Sequence, residues 1–120
     1  MSFAKIAEGK KGEELALSFL KKQGYIILEK NFKVRYGEID IIALDKDILV
    51  FIEVKTRSSF KFGTPLEAIT YWKLKSVIKT AEYYKLTHPK LPEAMRIDAV
   101  SVQISSNNEV NIELTKNISE

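Results

Sequence analysis

Glu53 and Lys55 flank Val54 within a run of β-branched and aromatic residues, and Asp40 closes Gly37-Glu38-Ile39-Asp40 thirteen positions before Glu53. Charged side chains in such runs are costly to bury and need a partner. Residues two apart in a strand project from one face, so Glu53 points with Lys55, and Glu38 with Asp40. On neighbouring strands, these carboxylates and one ammonium can converge. A hard cation such as magnesium takes carboxylate oxygens at about 2.0–2.1 Å and keeps several waters. Asp40 and Glu53 could share one ion, Glu13 could reach it directly or through water, and the Val54 carbonyl could add an oxygen. Lys55 could orient or deprotonate a water and offset charge building on a phosphate. The ion itself would lower that water's pKa and stabilise the transition state.

Composition narrows the alternatives. Cysteine is absent, which removes disulfides, thiolate zinc sites and a cysteine nucleophile. His88 is the only histidine and precedes Pro89, where it reads as a helix-ending residue rather than a catalytic one. Any metal is therefore held by oxygen, as magnesium, manganese or calcium would be. The net charge of +3 permits a polyanionic partner. Lys30, Lys33, Arg35, Arg57 and Lys61 flank the acidic residues in sequence, giving either a phosphate-holding rim around a negative centre or a solvated mixed surface. No apolar run approaches the ~20 residues needed to span a bilayer, and Met1-Ser2-Phe3-Ala4-Lys5 carries no hydrophobic signal core. The expected location is the cytoplasm, without a membrane partner.

The elements that must position these groups form one domain over residues 1–120. A helix is expected from about Gly9 to Gln23, with Gly24 as its stop and an apolar stripe through Leu15, Ala16, Phe19 and Leu20. Glu13 falls on that stripe's face, leaning over the sheet or favouring the helix dipole, whereas Glu14 falls on the solvated side. Tyr25 to Leu28 reads as a short strand, followed by a basic connection through Lys33 and Arg35 to a turn at Gly37. Ile39 to Leu44 and Ile48 to Lys55 are strands joined by a three-residue turn, Asp45-Lys46-Asp47. The second of these leaves neither face polar, as a central strand covered on both sides requires. Ser58 to Pro65 is expected to be a loop, and Leu66 to Leu86 a helix that stops before Pro89. Met95 to Ile104 is a further strand, 105–108 a turn, and Val110 to Leu114 a returning strand. The order α-β-β-β-α-β-β gives a mixed sheet flanked by helices.

Other residues carry weaker signals. Glu38 could support Asp40 or be a surface acid. Lys73 lies on the inner stripe of the second helix, where it could touch a phosphate, pair with a site carboxylate or extend out to solvent. Arg57 and Lys61 could contact phosphates, and Trp72, Tyr83 and Tyr84 fit a core or a dimer surface better than base-stacking.

Asp40 followed by Glu53-Val54-Lys55 resembles the PD-(D/E)xK nuclease core of restriction enzymes and Holliday-junction resolvases. Gly12-Glu13 with Ala16, Gly24-Tyr25, Asn31-Phe32, Gly37-Glu38-Ile39-Asp40, Phe51 through Arg57, Phe62-Gly63 with Pro65, Glu67-Ala68 and Lys73 resemble the bacterial YraN-type family over roughly residues 9–102. The resemblance implies a restriction-endonuclease-like fold, metal ligands at Asp40 and Glu53 with Glu13 as a helix-borne acid, and a catalytic lysine at Lys55. Ile39 stands where the motif's proline would sit, as in resolvase-like members. The implied activity is magnesium-dependent (or manganese-dependent) endonucleolytic hydrolysis of structured or branched DNA, with RNA and a homodimer left open. Arg35, Arg57, Lys61 and Lys73 are the expected nucleic-acid contacts. The alternatives are a non-catalytic nucleic-acid-binding or adaptor module on the same fold and a structural or partner-binding protein without affinity for nucleic acid.

Overall fold

The computed structural model describes residues 3–57 and 69–119, with the side chains of the first helix described from Gly9 onward. Helix α1 (Phe3–Lys22) leads into strands β1 (Ile26–Val34), β2 (Gly37–Asp45) and β3 (Ile48–Arg57). Helix α2 (Tyr71–Thr87) then precedes β4 (Met95–Ile104) and β5 (Val110–Thr115). The five strands lie in chain order across one sheet; β3 and β4 run parallel and the other neighbours antiparallel. This is the expected mixed α/β architecture, and β3 is its middle strand.

Strand β3 explains the layering. Leu49 and Phe51 face α2 with Ile39, Val77, Ala81 and Tyr84, while Val50 and Ile52 face α1 with Ala16, Leu20, Ile41 and Val102. An apolar residue at almost every position of β3 is therefore consumed by two cores, one under each helix. Among the described residues no helix is long and apolar enough to cross a membrane.

Boundaries differ from the expected ones for identifiable reasons. Helix α1 starts at Phe3 rather than near Gly9, because a single glycine costs a helix only about 1 kcal/mol and does not end it. Strand β1 continues to Val34, so Lys33 belongs to a strand and the connection shrinks to Arg35-Tyr36. Asp45 pairs with Ile48, leaving a two-residue turn of Lys46 and Asp47 in which Lys46 takes φ 54°. Helix α2 begins at Tyr71, not Leu66, since Thr70 is its N-cap: extended in backbone, it accepts a hydrogen bond from the Lys73 N–H on its side-chain oxygen. The loop expected over Ser58 to Pro65 lies outside the described residues. Gly24 does stop α1, at φ 95°, and His88 caps α2, its Nδ1 donating to the Tyr84 carbonyl at 2.8 Å and its ring stacked on Tyr84.

Gly12 lets α1 settle on β3. A Cβ at that position would lie 1.8 Å from Thr56 Oγ1, an impossible contact, whereas one at Gly9 would meet nothing within 4 Å. Two substitutions in one helix should therefore act with opposite sign. Gly12→Ala is expected to cost about 1–3 kcal/mol through overpacking, and Gly9→Ala to gain up to about 1 kcal/mol from helix propensity. Urea unfolding of both variants, read at the midpoints, checks this pair.

A candidate acidic site where two strands part

The ladder between β2 and β3 runs from Asp45–Ile48 to Ile41–Ile52 and stops there. Beyond that pair the strands separate, and Asp40 fills the fork. The Val54 N–H donates to Asp40 Oδ2 at 2.8 Å, so a side chain replaces the carbonyl that the departing strand no longer offers. Val54 thus enters the site through its N–H.

Glu53 lies between Ile52 and Val54 on β3, on the α2 side by alternation with Leu49 and Phe51. Its exposure is 1%. Lys73 reaches down from α2 to place Nζ 3.6 Å from Glu53 Oε2, while Oε1 is buried without a hydrogen-bond partner among the described residues. Burial first, and the neighbouring Asp40 charge second, push the Glu53 carboxyl up from its ordinary 4.5 to about 7; Lys73 and Lys55 oppose the rise. Burial also raises the Asp40 carboxyl, against the pull of the Val54 N–H, Lys73 and Lys55. Asp40, Glu53, Lys55 and Lys73 therefore form one electrostatic group of two acids and two bases.

Glu13 approaches from the opposite layer. It is half-buried on α1, as its place on the apolar stripe implied, and Glu14 is exposed. Burial raises its carboxyl most, then Asp40, while a hydrogen bond with the Asn31 side chain and the charge of Lys30 lower it. Glu13 is thus tied to Asp40 and β1. Among the described residues, no three acidic or histidine side chains gather as a ready-made metal cage.

Asn31, which in the sequence is simply part of the Asn31-Phe32 block, helps place the site. The pairs Lys30–Ile41 and Phe32–Ile39 put it opposite Asp40, and its φ of 52° interrupts the alternation of β1 there. An asparagine amid β-formers was the available signal, because asparagine tolerates the left-handed region better than most residues.

The remaining candidates separate. Glu38 is a surface acid 3.8 Å from Lys33. Lys73 is engaged with Glu53 rather than standing free for a phosphate. Arg35 is exposed at the β1–β2 turn, Arg57 is half-buried at the end of β3, and Lys61 lies outside the described residues. Tyr84 belongs to the core, edge-on to Phe32 and Phe51, and burial raises its hydroxyl pKa to about 12.

A second buried carboxylate, unforeseen from the sequence, provides the comparison. Asp98 is 0% exposed on β4. It accepts from Arg96 Nε at 2.8 Å, Arg96 Nη2 at 3.0 Å, the Tyr25 hydroxyl at 2.9 Å and the Asn117 N–H at 3.0 Å. Arg96 also bonds Asp45 at 2.8 Å, and burial together with the Asp98 bond pushes the Tyr25 hydroxyl above its usual range. Asp98 is fully provided with donors. Glu53 is not.

Comparison with known proteins agrees with the motif blocks. The model of Uncharacterised protein family UPF0102 matches residues 12–102, a span that includes Glu13, Asp40, Glu53 and Lys55. A UPF0102 protein of Caldicellulosiruptor saccharolyticus is 49% identical over 111 residues, covering 91% of this chain and 93% of that relative. A UPF0102 protein of Clostridium botulinum strain Kyoto is 47% identical over 113 residues, covering 91% of this chain and 90% of the relative. The chain belongs to the UPF0102 family.

Because the Glu53 carboxyl ionises at higher pH when folded than when unfolded, folding favours its protonated form. The stability it contributes is complete below about pH 4.5 and is lost as pH rises through about 7. Glu53→Gln, which mimics the protonated state, should be more stable than the parent at pH 7.5, with the advantage shrinking toward pH 5. Thermal melts of both proteins across that range measure the difference.

Proposed function

We propose that this chain is a magnesium- or manganese-dependent endonuclease of the PD-(D/E)xK type, hydrolysing phosphodiester bonds in structured or branched DNA. The observation that carries the reading is Glu53: a carboxylate in the centre of the sheet, beside Asp40, with one oxygen lacking a donor among the described residues. A buried acid that serves only stability collects its donors, as Asp98 does, whereas one that holds a cation keeps an oxygen in reserve.

The residues fit such an ion. Magnesium is commonly held by one or two carboxylates, with waters and substrate phosphate completing its shell, so Asp40 and Glu53 are a sufficient protein contribution without a three-acid cage. Those two residues would hold it, and it would supply Lewis acidity that lowers a water's pKa and offsets charge on the phosphate. The chain's own groups do the rest. The Val54 N–H fixes Asp40 in orientation. Lys55, projecting on the same side as Glu53, steadies the attacking water and the phosphate oxygens. Lys73 counters the Glu53 charge, so the carboxylate can ionise before substrate arrives. Glu13, through Asn31 and Asp40, orients the acidic side of the fork.

One observation favours a second reading. With no three acids gathered among the described residues and Lys73 already paired to Glu53, a non-catalytic nucleic-acid-binding module on the same fold has support of its own.

Two measurements separate the readings. Magnesium should raise the melting temperature of the parent protein but not of Glu53→Gln. Incubation with four-way, flap, single-stranded and duplex DNA should give metal-dependent cleavage of a structured substrate, reduced roughly 10²–10⁴-fold by Lys55→Met. Salt-sensitive DNA binding that survives Glu53→Ala, without cleavage of any substrate, would establish the binding module instead.

A further inference from the structure

The outward face of α2 carries large aromatic side chains in water. Trp72 is 76% exposed and Tyr71 63%, and their rings meet edge-on at 5.2 Å. Lys75 Nζ lies 5.2 Å from the centroid of the Tyr71 ring. One turn further on, Lys79 Nζ lies 4.8 Å from the ring of Tyr36, which comes from the β1–β2 turn and packs edge-on against Tyr83 at 6.4 Å. Residues 72, 75, 79 and 83 follow helical spacing, so two lysines lie between aromatic groups along one strip.

Exposed aromatic surface on this scale marks an interaction site. Its chemistry selects among partners. A twofold contact with a second copy would set the same patch against itself and bring its ammoniums together. Among the described residues Glu82 is the acid that lies beside Trp72, Lys75 and Lys79. An acidic peptide would satisfy the lysines but does not carry a ring at every repeat of its backbone. Single-stranded nucleic acid supplies both, phosphates for the ammoniums and bases for the aromatic faces.

Position supports the same partner. Trp72 and Lys73 both lie in the first turn of α2, and Lys73 contacts Glu53, so the strip starts at the end of the helix nearer the acidic site. From Trp72 to Tyr83 it runs about 17 Å at the helical rise, room for about five nucleotides at the ~3.4 Å spacing of stacked DNA.

We infer that the α2 strip of Tyr36, Tyr71, Trp72, Lys75, Lys79 and Tyr83 is a binding platform for single-stranded nucleic acid leading toward the Asp40–Glu53 fork. This deepens the nuclease reading by naming the form of substrate the site receives, namely a junction or flap with an unpaired arm.

Trp72 is the only tryptophan in the chain, so its emission reports the platform directly. A 20-nucleotide oligothymidylate, titrated in EDTA to prevent any cleavage, should quench that emission saturably and bind tighter than blunt duplex. Trp72→Ala should weaken binding of a fluorescein-labelled oligothymidylate roughly 5- to 100-fold by anisotropy, and Trp72→Phe should restore most of it. Lys75→Gln with Lys79→Gln should reduce the slope of log affinity against log salt by about 1.4. Binding measured in EDTA involves no metal and no cleavage, so loss of the nuclease reading leaves these results standing. Unquenched Trp72 emission, or equal affinity in Trp72→Ala, overturns the platform even if metal-dependent cleavage is found. Sedimentation showing a dimer that Trp72→Ala dissociates overturns it in favour of contact between copies.

Discussion

The structure is organised around one buried carboxylate that its own fold leaves partly unsatisfied. Glu53 stands in the middle strand of the sheet, where the cost of holding a charge is greatest, and among the described residues it receives an ammonium from α2 and a second acid from β2 but no donor for Oε1. Each surrounding feature bears on that position. The β2–β3 ladder stops one pair short of it, opening the fork that Asp40 occupies. The Thr70 cap starts α2 so that Lys73, in its first turn, points back toward the sheet. Close contact at Gly12 seats α1 on β3 near the same end of the strand.

Asp98 is the contrasting buried acid. Four donors from three other residues surround it, and they tie β4 to the start of β1 and to the segment after β5. The two carboxylates lie on neighbouring strands under different helices. Their contrast is therefore a property of the sites and not of the general environment. A protein able to saturate one buried acid so completely could have saturated the other; leaving it open is consistent with a ligand that brings positive charge.

Much of this was legible in the residues. The periodicity of β3 and β4, the stop at Gly24 and the exit at His88 are local effects, and local effects read well from sequence. Glu13 and Glu14 separated correctly because a helix stripe assigns faces by arithmetic. The start of α2 did not, since Pro65 and the apolar residues after it competed with a cap at Thr70 that shows itself only through its geometry. The length of β1 was hidden for a similar reason: Asn31 adopts a left-handed conformation inside the strand instead of ending it. Lys73 was placed on the right face, but its partner lies twenty residues away in sequence, and pattern alone does not choose among three possible fates. The Arg96–Asp98–Tyr25 cluster escaped notice because its members are spread over more than seventy residues.

The irregular path of β1 has a consequence for the protein in concentrated solution. This strand borders the sheet, with Ile26 61% and Leu28 38% exposed, and a long flat border of that kind invites strand addition from another chain. The register shift between Ile27 and Glu29 and the backward turn at Asn31 break its straight run of hydrogen-bonding groups. A margin bent in this way is a poorer template for strand addition, so the departure from ideal geometry opposite Asp40 bears on the edge of the sheet as well as on the acidic fork.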